Sequence, residues 1–149
     1  MTAYLLDTNH CSYLMNGKRK QPQYRKPQET NAIARYQAIT TDPVYMCEVS
    51  LSELCLGAEK SPHFVSIYQR ISAFRSITPC LPVSSDCWEL HGKVKWEILK
   101  SGRKMGDFDL LIACIAKKYG CILVTNDGNF SNLPAGFVPI ENWSVASTP

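Results

Sequence analysis

The clearest periodicity in the chain lies between Phe108 and Tyr119. Apolar side chains recur there at Phe108, Leu111, Ile112, Ile115 and Tyr119, the spacing of one helix face. Leu110, Ala113, Cys114 and Ala116 fill much of the other face, so the spacing predicts a helix buried on two sides. Gly120 supplies a stop, and the run Cys-Ile-Leu-Val-Thr from Cys121 to Thr125 is apolar without alternation, as in a parallel strand covered on both faces. Asn126 to Asn129 is turn chemistry. The pattern therefore places Asp107 and Asp109 at the start of a helix. It places Asp127 just past the carboxyl end of a strand, where open α/β sheets collect their ligands.

The rest of the chain repeats this alternation. Ala3 to Leu6 reads as a short strand ending in Asp7, with Thr8 and Asn9 capping a short helix that stops at Asn16-Gly17. A modest helix follows around Asn31 to Ile39, then a second strand from Val44 to Val49. The spacing of Ser50 and Glu53 fits a capping box opening a helix over Leu51 to Glu59; alternatively Glu53, directly after a strand, stands at the same sheet edge as Asp7 and Asp127. Ser61-Pro62 opens a helix whose Phe64, Ile67, Tyr68, Ile71, Phe74 and Ile77 read as core. Pro79 to Val83 is an edge strand, and a helix capped by Ser84 or Ser85 turns Cys87, Leu90, Val94 and Ile98 inward before Gly102. Phe137 to Ile140 reads as a last strand, with Trp143 closing the core. With no repeats and no shift in composition, residues 1–149 are expected to form a single α/β domain around a mainly parallel sheet.

Composition narrows the setting. Seven cysteines, an odd number with no C-x-x-C pair, sit mostly inside apolar runs, which argues for reduced core thiols and a cytoplasmic protein rather than a zinc ribbon. No leader and no run near 18 apolar residues appears, so a membrane role is not expected. Net charge is +3, and it is concentrated. Lys18 to Gln28 holds five positive charges, two prolines and no acid, and is expected to be a solvated basic loop or a polyphosphate contact. A second basic cluster spans Lys93, Lys95, Lys100, Arg103 and Lys104. His10, His63 and His91 are not spaced as ligand pairs and read as ordinary surface or boundary residues.

Asp7, Glu53, Asp109 and Asp127 come from four separate points of the chain onto one sheet edge. At ~4 Å and an effective dielectric of about 20, each like-charge pair costs ~4 kcal/mol, so four gathered carboxylates need raised pKa values or a cation. Oxygen-only ligation favours Mg²⁺ or Mn²⁺, and with it hydrolysis of a phosphodiester. The basic clusters suit such a polyanionic substrate.

The motifs Leu-Leu-Asp-Thr-Asn from Leu5, Ser-Leu-Ser-Glu-Leu-Cys-Leu-Gly from Ser50, Gly-Asp-Phe-Asp-Leu-Leu-Ile-Ala from Gly106 and Leu-Val-Thr-Asn-Asp-Gly-Asn-Phe from Leu123 together resemble the four acidic motifs of the PIN-domain family, in its VapC-type toxin branch. The likeness covers nearly the whole chain in order and spacing. It implies an α/β/α sandwich and a Mg²⁺- or Mn²⁺-dependent endoribonuclease acting on RNA. It further implies a homodimer, a VapB-like antitoxin that inhibits it from the active-site groove, and DNA contact only through that antitoxin. Matched residue by residue, it makes Asp7 and Asp109 direct metal ligands, with Glu53 and Asp127 completing the cage and one of them orienting water. Thr8 and Thr125 match polar positions beside the metal. Asn129 stands where relatives often carry a further acid, and Asp107 reads as a helix N-cap. Three other readings stay open. An aspartate-nucleophile phosphatase centred on Asp7 lacks the expected acid at Asn9. The others are a PIN ribonuclease of RNA processing and a silent module acting through a DNA-binding partner.

Overall fold

A computed structural model describes residues 1–147. A parallel five-stranded sheet runs in the order β3-β2-β1-β4-β5, built from β1 (Tyr4–Leu6), β2 (Val44–Cys47), β3 (Cys80–Leu81), β4 (Ile122–Val124) and β5 (Ile140–Glu141). Among the described residues six α-helices join and flank it: α1 (Thr8–Lys18), α2 (Pro27–Ala38), α3 (Glu48–Glu59), α4 (Phe64–Ile77), α5 (Ser85–Lys100) and α6 (Asp107–Tyr119). The chain leaves β1 for β2 on one side and returns to β4 on the other, so the strand order reverses at β1, the kind of switch point where α/β sheets open a crevice.

The short central strands divide their side chains by the two-residue period. Leu5 and Leu123 face a core shared with α5 and α6, whereas Tyr4, Leu6 and Val124 face one shared with α1, α2 and α4. The α3 helix contributes to both, through Val49 on one side and Leu54 and Ala58 on the other. Seven consecutive residues of α6, Leu110 to Ala116, are buried, which bears out the expected two-sided helix; its outer members Phe108 and Tyr119 are exposed. Each fully buried Leu or Ile there contributes about 1.5–3 kcal/mol. Gly120 ends α6 at φ 66°, a left-handed conformation that disfavours side chains.

Several boundaries differ from the sequence expectation. The α1 helix is capped by Asp7 rather than by Thr8 or Asn9, and it runs through Asn16-Gly17 to Lys18. Gly17 is there for closeness, since a Cβ would stand 2.7 Å from Ile33 Cδ1 and 2.9 Å from Glu29 Cβ of α2. The second strand ends at Cys47, and α3 starts two residues before Ser50, so Ser50 and Glu53 form no capping box. Phe64 and Ile77 are exposed, while Ile71 and Phe74 carry the buried face of α4.

The basic segment is more ordered than a solvated loop. It closes α1, makes a 3₁₀ turn at Pro22–Tyr24 and enters α2 at Pro27, four residues before the expected start. Lys20 Nζ donates to buried Glu29 at 2.9 Å and Arg25 Nε to the Gly17 carbonyl at 2.8 Å. Burial alone would raise the Glu29 pKa, but the Lys20 hydrogen bond and the Lys26 backbone N–H outweigh it and hold the carboxyl below its ordinary value.

Candidate active site

Asp7 leaves β1 in an extended conformation as the cap of α1. Its Oδ1 accepts from the His10 backbone N–H at 2.8 Å and lies 3.0 Å from His10 Nδ1, while Oδ2 accepts from the Thr125 hydroxyl at 2.6 Å. A carboxylate only accepts, so the His10 proton sits on Nδ1. Thr125 Oγ1 in turn accepts from the Asp127 backbone N–H at 3.0 Å, and Asp127 Oδ1 accepts from the Asn129 N–H at 2.9 Å. These bonds tie the carboxyl ends of β1 and β4 into one polar chain, with Asp7 and Thr125 both buried.

The opposite wall is helical. The early start of α3 buries Ser50 in its first turn and turns Glu53 toward Thr8 at the start of α1. The Thr8 hydroxyl donates to Glu53 Oε1 at 2.6 Å, and Ser50 Oγ, 3.1 Å away, donates to Thr8 in return because that hydroxyl has one proton to give. Asp109 lies in the first turn of α6, where the positive end of the helix dipole favours an anion. Its pKa nevertheless rises to about 6, through burial first and then repulsion from Asp127, Glu53 and Asp7, with only the Asn129 side chain lowering it. The other three carboxylates named from sequence therefore all act on Asp109.

That field is the test of a metal. Asp109 carries the repulsion of three other carboxylates, among the described residues no lysine or arginine forms an ion pair with it, and oxygen donors of this kind suit a hard cation. Among the described residues no group of three or more His, Cys, Asp or Glu side chains is placed to hold a metal ion as it stands. An ion such as Mg²⁺, which keeps several waters and takes one or two carboxylates, does not require such a group.

Asp107 stands apart from the crevice. It is the first residue of α6, after Gly106 as the cap, and its carboxylate pairs with Lys95 and with His91 Nε2 at 3.0 Å on α5. The Lys95 hydrogen bond holds its pKa below the ordinary value. It is thus not the N-cap, and its carboxylate is held by α5 instead. His10 was missed by sequence reasoning: it is fully buried against Asp7, and its Nε2 has no partner among the described residues. The signal was its place three residues after Asp7 on one helix face.

Three comparisons bear on this arrangement. The PIN domain family model matches residues 4–136. Over 141 residues the chain is 29% identical to Ribonuclease VapC2 of Rickettsia felis, covering 94% of this chain and 97% of that protein. It is likewise 29% identical over 144 residues to the tRNA(fMet)-specific endonuclease VapC of Shigella flexneri, covering 97% of this chain and all of that one. A crystal structure of VapBC2 from Rickettsia felis bound to a DNA fragment from their promoter superposes with a TM-score of 0.77 at 26% identity, over 95% of this chain and 99% of that chain.

Proposed function

The chain belongs to the PIN domain family, and from that premise we propose that it is a metal-dependent endoribonuclease serving as the toxin of a toxin–antitoxin pair. One observation carries the chemistry: Asp109 is pushed up to about 6 by burial and by three further carboxylates from distant parts of the chain. Mg²⁺ or Mn²⁺ is the ion read here, held by Asp7 and Asp109 with Glu53 and Asp127 completing the set. When bound, such an ion polarises the scissile phosphoryl group and acidifies the attacking water. The side chains do the rest. Asp7 is fixed by His10 and Thr125, Glu53 by Thr8 and Asp127 by the Asn129 N–H, so that Glu53 or Asp127 orients the water and takes its proton.

The toxin role rests on the nature of the relatives, which are ribonucleases of VapBC pairs, one of them crystallised with its partner on promoter DNA. We accordingly read a VapB-like antitoxin as the partner, with DNA contact through it. A homodimer is the expected state: α5 turns Trp88, Trp96 and Leu99 to solvent within one arc of the helix, surface of the kind that self-association covers. Five buried free thiols support a reducing cytoplasm. Among the described residues no helix is long and apolar enough to cross a membrane. The phosphatase reading is disfavoured, since Asn9 stands where that class needs an acid two residues after the nucleophile.

The test is cleavage of a structured RNA pool by the purified chain with Mn²⁺, beside EDTA and Asp7→Asn controls. Cutting by the wild type alone supports the reading. If all three samples leave the RNA intact, the silent binding module takes its place. Growth arrest on expression, relieved by a small neighbouring reading frame, separates a toxin from an RNA-processing nuclease.

A further inference from the structure

Glu53 and Thr8 also form one end of a groove of about 400 Å³ between α1, α3 and α4. Its other end has the opposite sign. Arg19, Lys20 and Arg70 line it there, together with Asn16. Lys20 is neutralised by Glu29, but among the described residues no carboxylate pairs with Arg19 or Arg70. The Arg70 guanidinium has five N–H donors and one partner, Asn16 Oδ1 at 3.1 Å, and its buried Nε has no acceptor. Burial, and then repulsion from Arg19, lower the Arg70 pKa, so the two cations are close enough to oppose each other. A pair of guanidiniums without counter-ions among the described residues therefore shares a groove with Glu53 of the acidic site.

We propose that Arg70 and Arg19 form a phosphate subsite that holds one backbone phosphate of the substrate strand, a few nucleotides from the bond cut at the carboxylates. Two guanidiniums in a half-enclosed groove suit a phosphodiester, whose oxygens accept from both at once. Thr8 and Asn16 are eight residues apart on α1, or ~12 Å at 1.5 Å per residue. That reach corresponds to about three to four stacked nucleotides at 3.4 Å each. The subsite rests on the ribonuclease reading for its substrate, and on the groove alone for its chemistry. It also accounts for part of the Lys18 to Gln28 segment, since Arg19 addresses the groove while Lys18 lies 3.9 Å over the Tyr36 ring and Arg25 braces the end of α1.

The test uses the full chain carrying Asp7→Asn, so that bound RNA is not cut, and measures a labelled single-stranded RNA by anisotropy over a range of salt. Arg19→Gln with Arg70→Gln should weaken binding ten- to hundredfold, the loss of charge-assisted hydrogen bonds. The slope of log affinity against log salt should fall by about 0.7, one phosphate on a single strand. Lys117→Gln removes one charge from the last turn of α6, outside the groove and both basic clusters, and is the control. In the cleaving chain the same pair should raise KM far more than it lowers kcat. Arg70→Lys, which keeps the charge, and Arg19→Gln alone, at the exposed end of α1, keep the test valid if Arg70→Gln fails to fold. Affinity and slope equal to the control overturn the proposal. If the wild type neither binds nor cuts RNA, the nitrogen-15 resonance of Arg70 Nε is followed while inorganic phosphate is added. A shift retains the subsite and removes the ribonuclease reading; no shift overturns both. A response to an acidic peptide but not to phosphate assigns the groove to a protein carboxylate and overturns the proposal.

Discussion

The two walls of the crevice are built on different principles. On the strand side Asp7 is buried, and each of its oxygens accepts a hydrogen bond, from His10 or from Thr125. On the helix side Asp109 is half-buried and held up near pH 6 by its neighbours. One wall is held by its own hydrogen bonds; the other is strained by like charges. The difference teaches how the proposed metal site would divide its work: a rigid anchor fixes position, and an electrostatically strained partner supplies affinity.

Removing the anchor is the severest way to break this division. Asp7→Asn should lower cleavage by more than about 100-fold, beyond the 10–100-fold typical of outer-shell partners. It should do so without loss of the folded circular-dichroism spectrum, since the amide oxygen still accepts from His10. Thr125→Val comes next. It leaves Asp7 Oδ2 without its donor and the Asp127 N–H without its acceptor, so Mn²⁺ affinity in calorimetry should fall about 10- to 100-fold. Stability in urea should fall by about 1–3 kcal/mol.

The strained wall predicts the opposite sign for stability. A carboxyl whose folded pKa lies near 6, against about 3.9 unfolded, binds more protons folded than unfolded across that interval. Metal-free stability should therefore decline as pH rises from about 4 to 6 on account of Asp109. Asp109→Asn should remove that decline and raise the metal-free melting temperature above pH 6, while abolishing the gain that Mn²⁺ confers. A metal-free wild type whose stability is flat over this interval contradicts the prediction. Glu29 gives the smallest effect, again with reversed sign. Its depressed pKa contributes stability above the unfolded value that is lost as pH falls through the folded one, so Glu29→Gln should lower stability at pH 7, by an amount that shrinks as the pH falls below the ordinary glutamate range.

What sequence reasoning reached, and what it did not, follows the same divide. Asp109 and Asp127 were placed through the strong period of α6 and the unalternated run of β4, features set by burial. Glu53 was ambiguous because a Ser and a Glu three apart fit a cap; α3 begins at Glu48 instead, with Glu48 suited to the helix dipole and Ser50 drawn inward to Thr8. His10 was passed over because a lone histidine carries no pattern, and its role depends on the side-chain hydrogen bond that seats it under Asp7. Asp107 looked like a cap until α5 offered it Lys95 and His91. Arg19 and Arg70 lie 51 positions apart, and only the packing of α1 against α4 reveals that among the described residues neither has a counter-ion.

The most direct test of the central claim is a calorimetric titration of Mn²⁺ into the purified wild-type chain and into Asp109→Asn, at pH 7 and at pH 5. Saturable binding by the wild type at pH 7, weaker at pH 5 where protons compete for Asp109, and lost in the variant, is the result expected of a crevice that a cation completes. Absence of binding by the wild type at pH 7, or binding that ignores both pH and the substitution, would contradict it.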